Sequence, residues 1–428
     1  MNRAYDILRS GAWVTPERIR RVAVAILCVA AVSIVFLLIT AKGLVDLQGR
    51  PLGTDFSSFY SAGTYVLDGN AQAPYDLARQ HAREQAIFGA ATPLYSWFYP
   101  PFFLFITAAL AFLPYAAALV SWQLVTLAFY LLSIRAIVSL SLRRPEEGRD
   151  EGAPALGAAL PTLFLAALAF PAVLVNLGHG QNGFLTAALL GGALAVLNKR
   201  PLAAGLLFGL LAYKPQFGLM IPLALAAGGY WRSFAAAAAT VALLAVAATA
   251  VFGFDAWRAF FDSTHFMRTV ALEQGDLGWY KMQSIFAWAR MWGAPIAVAY
   301  ALQALLVAGI GAALVWQWRS QTAYPVKAAS LCIATILATP FAFDYDMMVL
   351  APAIAFFAAD GLQRGFGPWE KTVLAALYLT PIAARTFAQW TLVPLGVPVM
   401  IVTFILLLRR STLNFTQPMA FSGTFLLK

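Results

Sequence analysis

The chain has 428 residues, 61% of them hydrophobic and 11% charged, with a formal net charge of +10 and mean hydropathy +0.73. A soluble domain carries about 25% charged residues, so the composition excludes an ordinary soluble protein. In a membrane chain the positive balance reads as Lys and Arg gathered in cytoplasmic loops rather than as a nucleic-acid-binding surface, and no nucleic-acid partner is expected.

Apolar runs recur from Arg21 to Arg409. Each is about 20 residues long, enough to cross ~30 Å of hydrocarbon as a helix. The runs are continuous rather than alternating, which excludes a membrane β-barrel and leaves helices that satisfy their own backbone groups. Cys28 and Cys332 both fall inside apolar runs, so no disulfide is expected.

Basic residues Arg3, Arg9, Arg18, Arg20 and Arg21 precede the first run. That run lacks a small-x-small cleavage site, so it reads as an uncleaved helix, 22–42, entered from a cytoplasmic segment, 1–21. A first outer loop, 43–98, follows, with a short helix at 76–89. The piece 100–113, bounded by Tyr99-Pro100-Pro101 and Pro114, is too short to span and reads as re-entrant or juxtamembrane. A full helix is predicted at 116–140, and the charged turn at 143–151 reads as a cytoplasmic loop.

Further helices are predicted at 156–175, 183–197, 202–213, 216–228 and 234–252. The interval 253–283 reads as a second outer loop rich in aromatic residues, and Ile285–Trp292 as an interfacial piece. Helices at 295–316 and 328–341 come next. Another descends to a loop at 360–371, and helices at 372–388 and 392–408 end at a cytoplasmic tail, 409–428. The expected architecture is a single all-α polytopic membrane domain, 1–428, of about 12 transmembrane helices with both termini cytoplasmic. This arrangement puts 19 of the 29 basic residues inside, as the positive-inside rule requires.

The topology gathers polar motifs on the outer side. Polar groups at membrane depth are expensive and face a cavity or a partner. Asp55 stands alone in Gly53-Thr54-Asp55-Phe56. It reads as a general base for an acceptor hydroxyl or as a helix cap. His179 lies in the turn before Gln181 and Asn182, and donates to a phosphate or merely closes a Gly-rich turn. Lys214, before Pro215 and Gln216, binds a phosphate as a point charge or snorkels to the interface. Asp344 and Asp346 flank Tyr345 and read as a metal pair, as substrate hydroxyl contacts or as caps. Arg385 is a further phosphate candidate, with His265 and Lys281 behind it. No metal or organic cofactor is expected. The chain has no Walker loop, no Gly-rich nucleotide fingerprint and no His-Glu-x-x-His.

The pattern Asp55-Phe56-x-x-Phe59-Tyr60-x-Ala62-x-x-Tyr65-x-Leu67-x-Gly69, then Pro74-Tyr75, resembles the first outer loop of the polyprenyl-phosphate-mannose-dependent mannosyltransferase-like family (glycosyltransferase family eighty-seven). So do Phe98-Tyr99-Pro100-Pro101, Gly180-Gln181-Asn182 and Lys214-Pro215, in the same order over residues 53–350. The resemblance implies a GT-C bundle in the cell membrane with its active site on the extracytoplasmic side. It implies a polyprenyl-phosphate sugar as donor, mannose foremost, and inverting transfer to a hydroxyl of a lipid or glycan acceptor. It implies a catalytic base at Asp55 and a donor contact at Lys214. Tyr60, Gln181, Asn182, Gln216, Asp344, Tyr345 and Asp346 are the expected substrate contacts, with Lys214, Arg385 and His179 on the donor phosphate. One departure is Phe343-Asp344-Tyr345-Asp346, which stands where the family often carries a Trp/His/Tyr turn. The rival reading is a transporter or flippase of a lipid-linked saccharide, which also carries Pro-broken helices. A sugar-polymer ligase with a similar bundle is a third.

Overall fold

The computed structural model describes residues 3–142 and 154–412. The expected charged turn at 143–151 and the tail beyond Thr412 lie outside the described residues. Among the described residues every regular element is helical, and strand-like pairing is limited to isolated bridges such as Met282 with Phe343. The chain is an all-α polytopic membrane protein.

Among the described residues, five helices are long and apolar enough to cross a membrane: Pro16–Thr40, Tyr115–Ser139, Trp231–Phe252, Ile296–Arg319 and Asp344–Arg364. A sixth span forms if Pro161–Leu168 and Pro171–His179 count as one segment bent by 40°. The bend sits where Pro171 can donate no backbone bond and holds Phe170 extended. The other apolar helices, among them Gly183–Val196, Pro201–Tyr213, Pro215–Ala227 and Tyr324–Leu337, are shorter. Where the sequence suggests about 12 full spans, much of the apolar chain is therefore in short pieces interrupted at prolines. Exposed apolar side chains such as Val32, Ile39, Leu243 and Leu305 cover the long helices, as lipid-facing surfaces require.

Three stretches differ from the sequence reading. The interval 43–98 holds the helix Phe56–Leu67 as well as the expected one, Leu77–Phe88, which Asp76 caps. Gly63 lets Phe56–Leu67 press against the short helix Leu104–Ala111, since a Cβ there would meet the Thr107 carbonyl at 2.1 Å. The interval 253–283 is largely helical: Phe254–Phe266 runs on into a π-helical turn, Met267–Gln274. The last helix, Gly396–Thr412, reaches past the expected start of the tail.

Arg410 is accordingly a buried residue rather than part of a tail. Its guanidinium donates to Asp360 Oδ2 (2.5 Å), Glu370 Oε2 (2.6 Å) and the Gly365 carbonyl (2.9 Å). Two carboxylates and a carbonyl replace the water a buried guanidinium gives up, and they tie the last three helices together at one end of the molecule. The N-terminal helix Arg3–Ser10 docks at that same end, where Trp369 N donates to the Arg9 carbonyl (2.7 Å) and Trp13 Nε1 to Thr372 Oγ1 (2.9 Å).

Candidate active site

The polar motifs meet at the other end. The helix Asp344–Arg364 runs between the two ends, with the Arg410 cluster at its C-terminus and the Asp344-Tyr345-Asp346 turn at its start. A cavity of about 430 Å³ opens there, lined by Asp55, His179, Gln181, Lys214, Gln216, Tyr345, Asp346 and Arg385. Eight of the eleven residues singled out in the sequence thus share one hollow. They come from five separate stretches of chain.

Asp55 immediately precedes the helix Phe56–Leu67, but its side chain makes no capping bond. Its Oδ2 accepts a hydrogen bond from Gln181 Nε2 at 2.9 Å, and its Oδ1 lies 3.8 Å from His179 Nδ1. The carboxylate is about one quarter exposed, on the cavity side. Beneath it Phe59 meets Trp97, Tyr99, Phe103 and Trp122 edge-on, with ring centroids 5.3–5.9 Å apart. Such aromatic contacts fix geometry beyond simple burial, so this floor holds the turn bearing Asp55.

His179 and Gln181 are set by the end of the helix Pro171–His179. Gly180 closes that helix in the left-handed conformation (φ +60°), and a Cβ on it would strike Phe56 Cβ at 2.6 Å. Glycine therefore serves both the turn and the close approach to the Asp55 helix. Trp122 Nε1 donates to the Gly180 carbonyl (3.1 Å) and Gln123 Nε2 to the Leu177 carbonyl (2.9 Å). Tyr99 donates to Gln181 Oε1 at 3.3 Å, orienting the amide that holds Asp55.

The charges on the far wall are mostly compensated. Lys214 and Asp346 form a short, buried ion pair, 3% and 2% exposed. Asp346 also accepts from Phe343 N (2.9 Å). Arg385 donates to Asp344 through Nε (2.7 Å), and its Nη2 lies 3.4 Å from His179 Nε2. The two aspartates read as a metal pair thus each hold a different cation. Among the described residues no group of three or more His, Cys, Asp or Glu side chains could hold a metal ion.

Three singled-out residues lie off the cavity. Tyr60 turns away, donates to the Leu113 carbonyl (2.9 Å) and packs on Tyr115. Asn182 is buried at the start of Gly183–Val196, where its carbonyl accepts from Tyr213 OH (3.3 Å). Asp344 sits behind Arg385. The cavity also uses residues that the sequence did not point to. Ser58 and Tyr95 join its lining, as does Arg268 of the π-helical turn, while Lys281 moves up from a minor candidate to a wall residue. Burial and the neighbouring Asp55 charge push the Tyr95 phenol up to about 12, so it stays a hydroxyl.

A second hollow of about 500 Å³ starts at Pro215, which also lines the polar cavity. Its walls are apolar, including Phe208, Ile221, Leu225 and Val241. An apolar groove on the bundle surface thus reaches the residue that follows Lys214.

No curated protein and no solved structure matches the chain. The family model for glycosyltransferase family 87 matches residues 97–340, a stretch that contains Tyr99, His179, Gln181 and Lys214 and stops short of Asp55, Asp346 and Arg385. That match spans more than half of the chain, and on it the protein belongs to glycosyltransferase family 87, as a polytopic membrane glycosyltransferase.

Proposed function

We propose that the protein transfers a hexose, mannose foremost, from a polyprenyl-phosphate sugar to a hydroxyl of a lipid or glycan acceptor, with inversion and with Asp55 as general base. The observation that carries the reading is the Asp55 carboxylate at the cavity wall, oriented by Gln181 and flanked by His179. In the step proposed, Asp55 takes the acceptor hydroxyl proton as that oxygen bonds to the anomeric carbon. The bond from that carbon to the phosphate oxygen breaks, and polyprenyl phosphate leaves with the electron pair.

The growing phosphate charge needs donors already in place. Arg385 and His179 face the cavity next to Asp55, and Lys281 lies on the same wall. Lys214 is already engaged by Asp346, so its part is shared with that partner, and the weight of phosphate binding falls on Arg385 and His179. The apolar hollow beginning at Pro215 suits a polyprenyl tail entering from the lipid. The cavity face is proposed to be extracytoplasmic in the cell membrane. There no soluble nucleotide sugar is at hand and a lipid-borne donor is.

The test is transfer from radiolabelled polyprenyl-phosphate sugars to native lipid and glycan extracts by the purified protein in detergent, wild type beside Asp55→Asn. Transfer by the wild type and its loss in a folded variant is the expected result. Equal transfer by both would overturn Asp55 as base. No transfer from any donor by folded wild type would overturn the donor class.

A further inference from the structure

Thr54 has no part in the reaction proposed above, yet its side chain meets the site. It stands one residue before Asp55, in the turn that leads into the helix Phe56–Leu67. Its carbonyl accepts from Ser57 N at 3.1 Å and from Ser57 Oγ at 2.6 Å, so the turn is fixed from within. The turn also lies against the one that Gly180 closes, where an added Cβ would come within 3.2 Å of the Gly53 carbonyl. This approach brings Thr54 Oγ1 to 2.8 Å from His179 Nδ1, across 125 residues of chain.

In a neutral imidazole one ring nitrogen donates and the other accepts, and the partner of one decides the role of the other. Arg385 Nη2 lies 3.4 Å from His179 Nε2. A guanidinium carries donors and no acceptor, so a bond there needs a lone pair on Nε2. The ring proton is then on Nδ1, and Thr54 Oγ1, which can accept as well as donate, receives it. The opposite tautomer would set Nε2–H against the guanidinium N–H. The Asp55 charge acts in the same sense. Its Oδ1, 3.8 Å from Nδ1, favours a proton on that nitrogen but is too far away to accept it. Tyr345 meets the imidazole edge-on, with centroids 6.3 Å apart. Arg385 is thereby held from two sides, by Asp344 at Nε (2.7 Å) and by His179 at Nη2.

We propose that Thr54 is a positioning residue for the phosphate side of the site: by accepting the Nδ1 proton it fixes His179 in the tautomer whose Nε2 accepts from Arg385. Arg385 then meets the donor phosphate as an oriented fork, and His179 acts on the phosphate through Arg385. The same bond keeps the ring proton off Asp55 Oδ1, which stays free for the acceptor hydroxyl while Gln181 holds Oδ2. The role in phosphate binding rests on the reaction proposed above; the tautomer does not.

The comparison is wild type against Thr54→Val, which keeps the shape and removes the hydroxyl, and Thr54→Ser, which restores it. The readout free of activity is the nitrogen-15 spectrum of histidine-labelled protein in detergent, at about pH 8, where histidine is ordinarily neutral. The chain has three histidines, and His179→Gln identifies the signals of the one in question. Wild type and Thr54→Ser are expected to show Nδ1 protonated and Nε2 not. In Thr54→Val part of the ring is expected to cross to Nε2–H. Donor KM is expected to rise about fivefold in Thr54→Val, the scale of one hydrogen bond, with acceptor KM nearly unchanged, and to return to within about twofold of wild type in Thr54→Ser. A wild-type ring protonated on Nε2, or a Thr54→Val protein with the wild-type His179 signals, would overturn the proposal. If no donor supports transfer, the reaction fails while the spectra still decide the tautomer. Should Thr54→Val not fold, Thr54→Ala, which only removes atoms, takes its place under the same two outcomes.

Discussion

Gln181 Nε2 donates to Asp55 Oδ2 at 2.9 Å, although 126 residues separate them in the chain. The amide is itself oriented by Tyr99 and by Asn182 N, which donates to Gln181 Oε1 at 3.0 Å. A base must stand within hydrogen-bond reach of its proton, and a misplacement of about 1 Å can cost ~100-fold. Gln181→Ala should therefore lower kcat by about 100-fold and leave donor KM nearly unchanged. Steady-state kinetics on detergent-purified protein, with thermal unfolding as the folding control, checks this. A variant with wild-type kcat would remove Gln181 from the role.

Lys214 and Asp346 are both buried and neutralise each other. Removing one partner of such a pair strands the other and costs about 3–5 kcal/mol, whereas replacing both with apolar groups is often close to neutral. Asp346→Asn should lower the unfolding temperature sharply. Lys214→Met combined with Asp346→Leu should recover most of that loss. The measurement is thermal unfolding of all three proteins in one detergent. An Asp346→Asn protein as stable as wild type would show that the pair carries no structural load.

The gathering of Asp55, His179, Lys214, Asp346 and Arg385 was legible because each interrupts or borders an apolar run, and a charge there must find a cavity or a partner. Which partner it finds was not legible. Lys214 and Asp346 are 132 residues apart, and Arg385 and Asp344 are 41. Tyr60 shows a different limit. With 56–67 read as loop, its closeness to Asp55 in sequence made it a candidate. In the helix that forms, positions three and four after Asp55 share its face, and these are Ser58 and Phe59; Tyr60, five on, points to Leu113. Arg268 was hidden in the same way, because 253–283 read as loop until its aromatic residues packed as a helix. Arg410 followed the general expectation for terminal arginines, and only tertiary packing brings Asp360 and Glu370 to it.

Glu84, buried on the helix Leu77–Phe88, predicts a pH dependence of stability. Its ordinary value of 4.5 is raised to about 8 by burial and by the Asp55 charge. Between those values the folded state holds a proton that the unfolded chain has lost, so folding stability falls as pH rises through that window. The unfolding temperature of the wild type relative to Glu84→Gln should accordingly drop from pH 5 to pH 8 and change little above it. A constant difference between the two proteins would mean that Glu84 titrates alike in both states.

Arg385 is placed to bind a phosphate without being the base. Its guanidinium is held by Asp344, reaches His179 and is about one third exposed to the cavity. Its planar fork can serve Asp344, His179 and a ligand oxygen together, which a lysine ammonium cannot match. Arg385→Gln should raise donor KM by about tenfold or more, the value of roughly 1.4 kcal/mol in binding, and lower kcat as well, because the charge on the leaving phosphate is greatest in the transition state. Arg385→Lys should recover part of the binding and little of kcat. Kinetics over a donor series at saturating acceptor separates the two parameters. Unchanged donor KM in Arg385→Gln would shift phosphate recognition to His179 and Lys281.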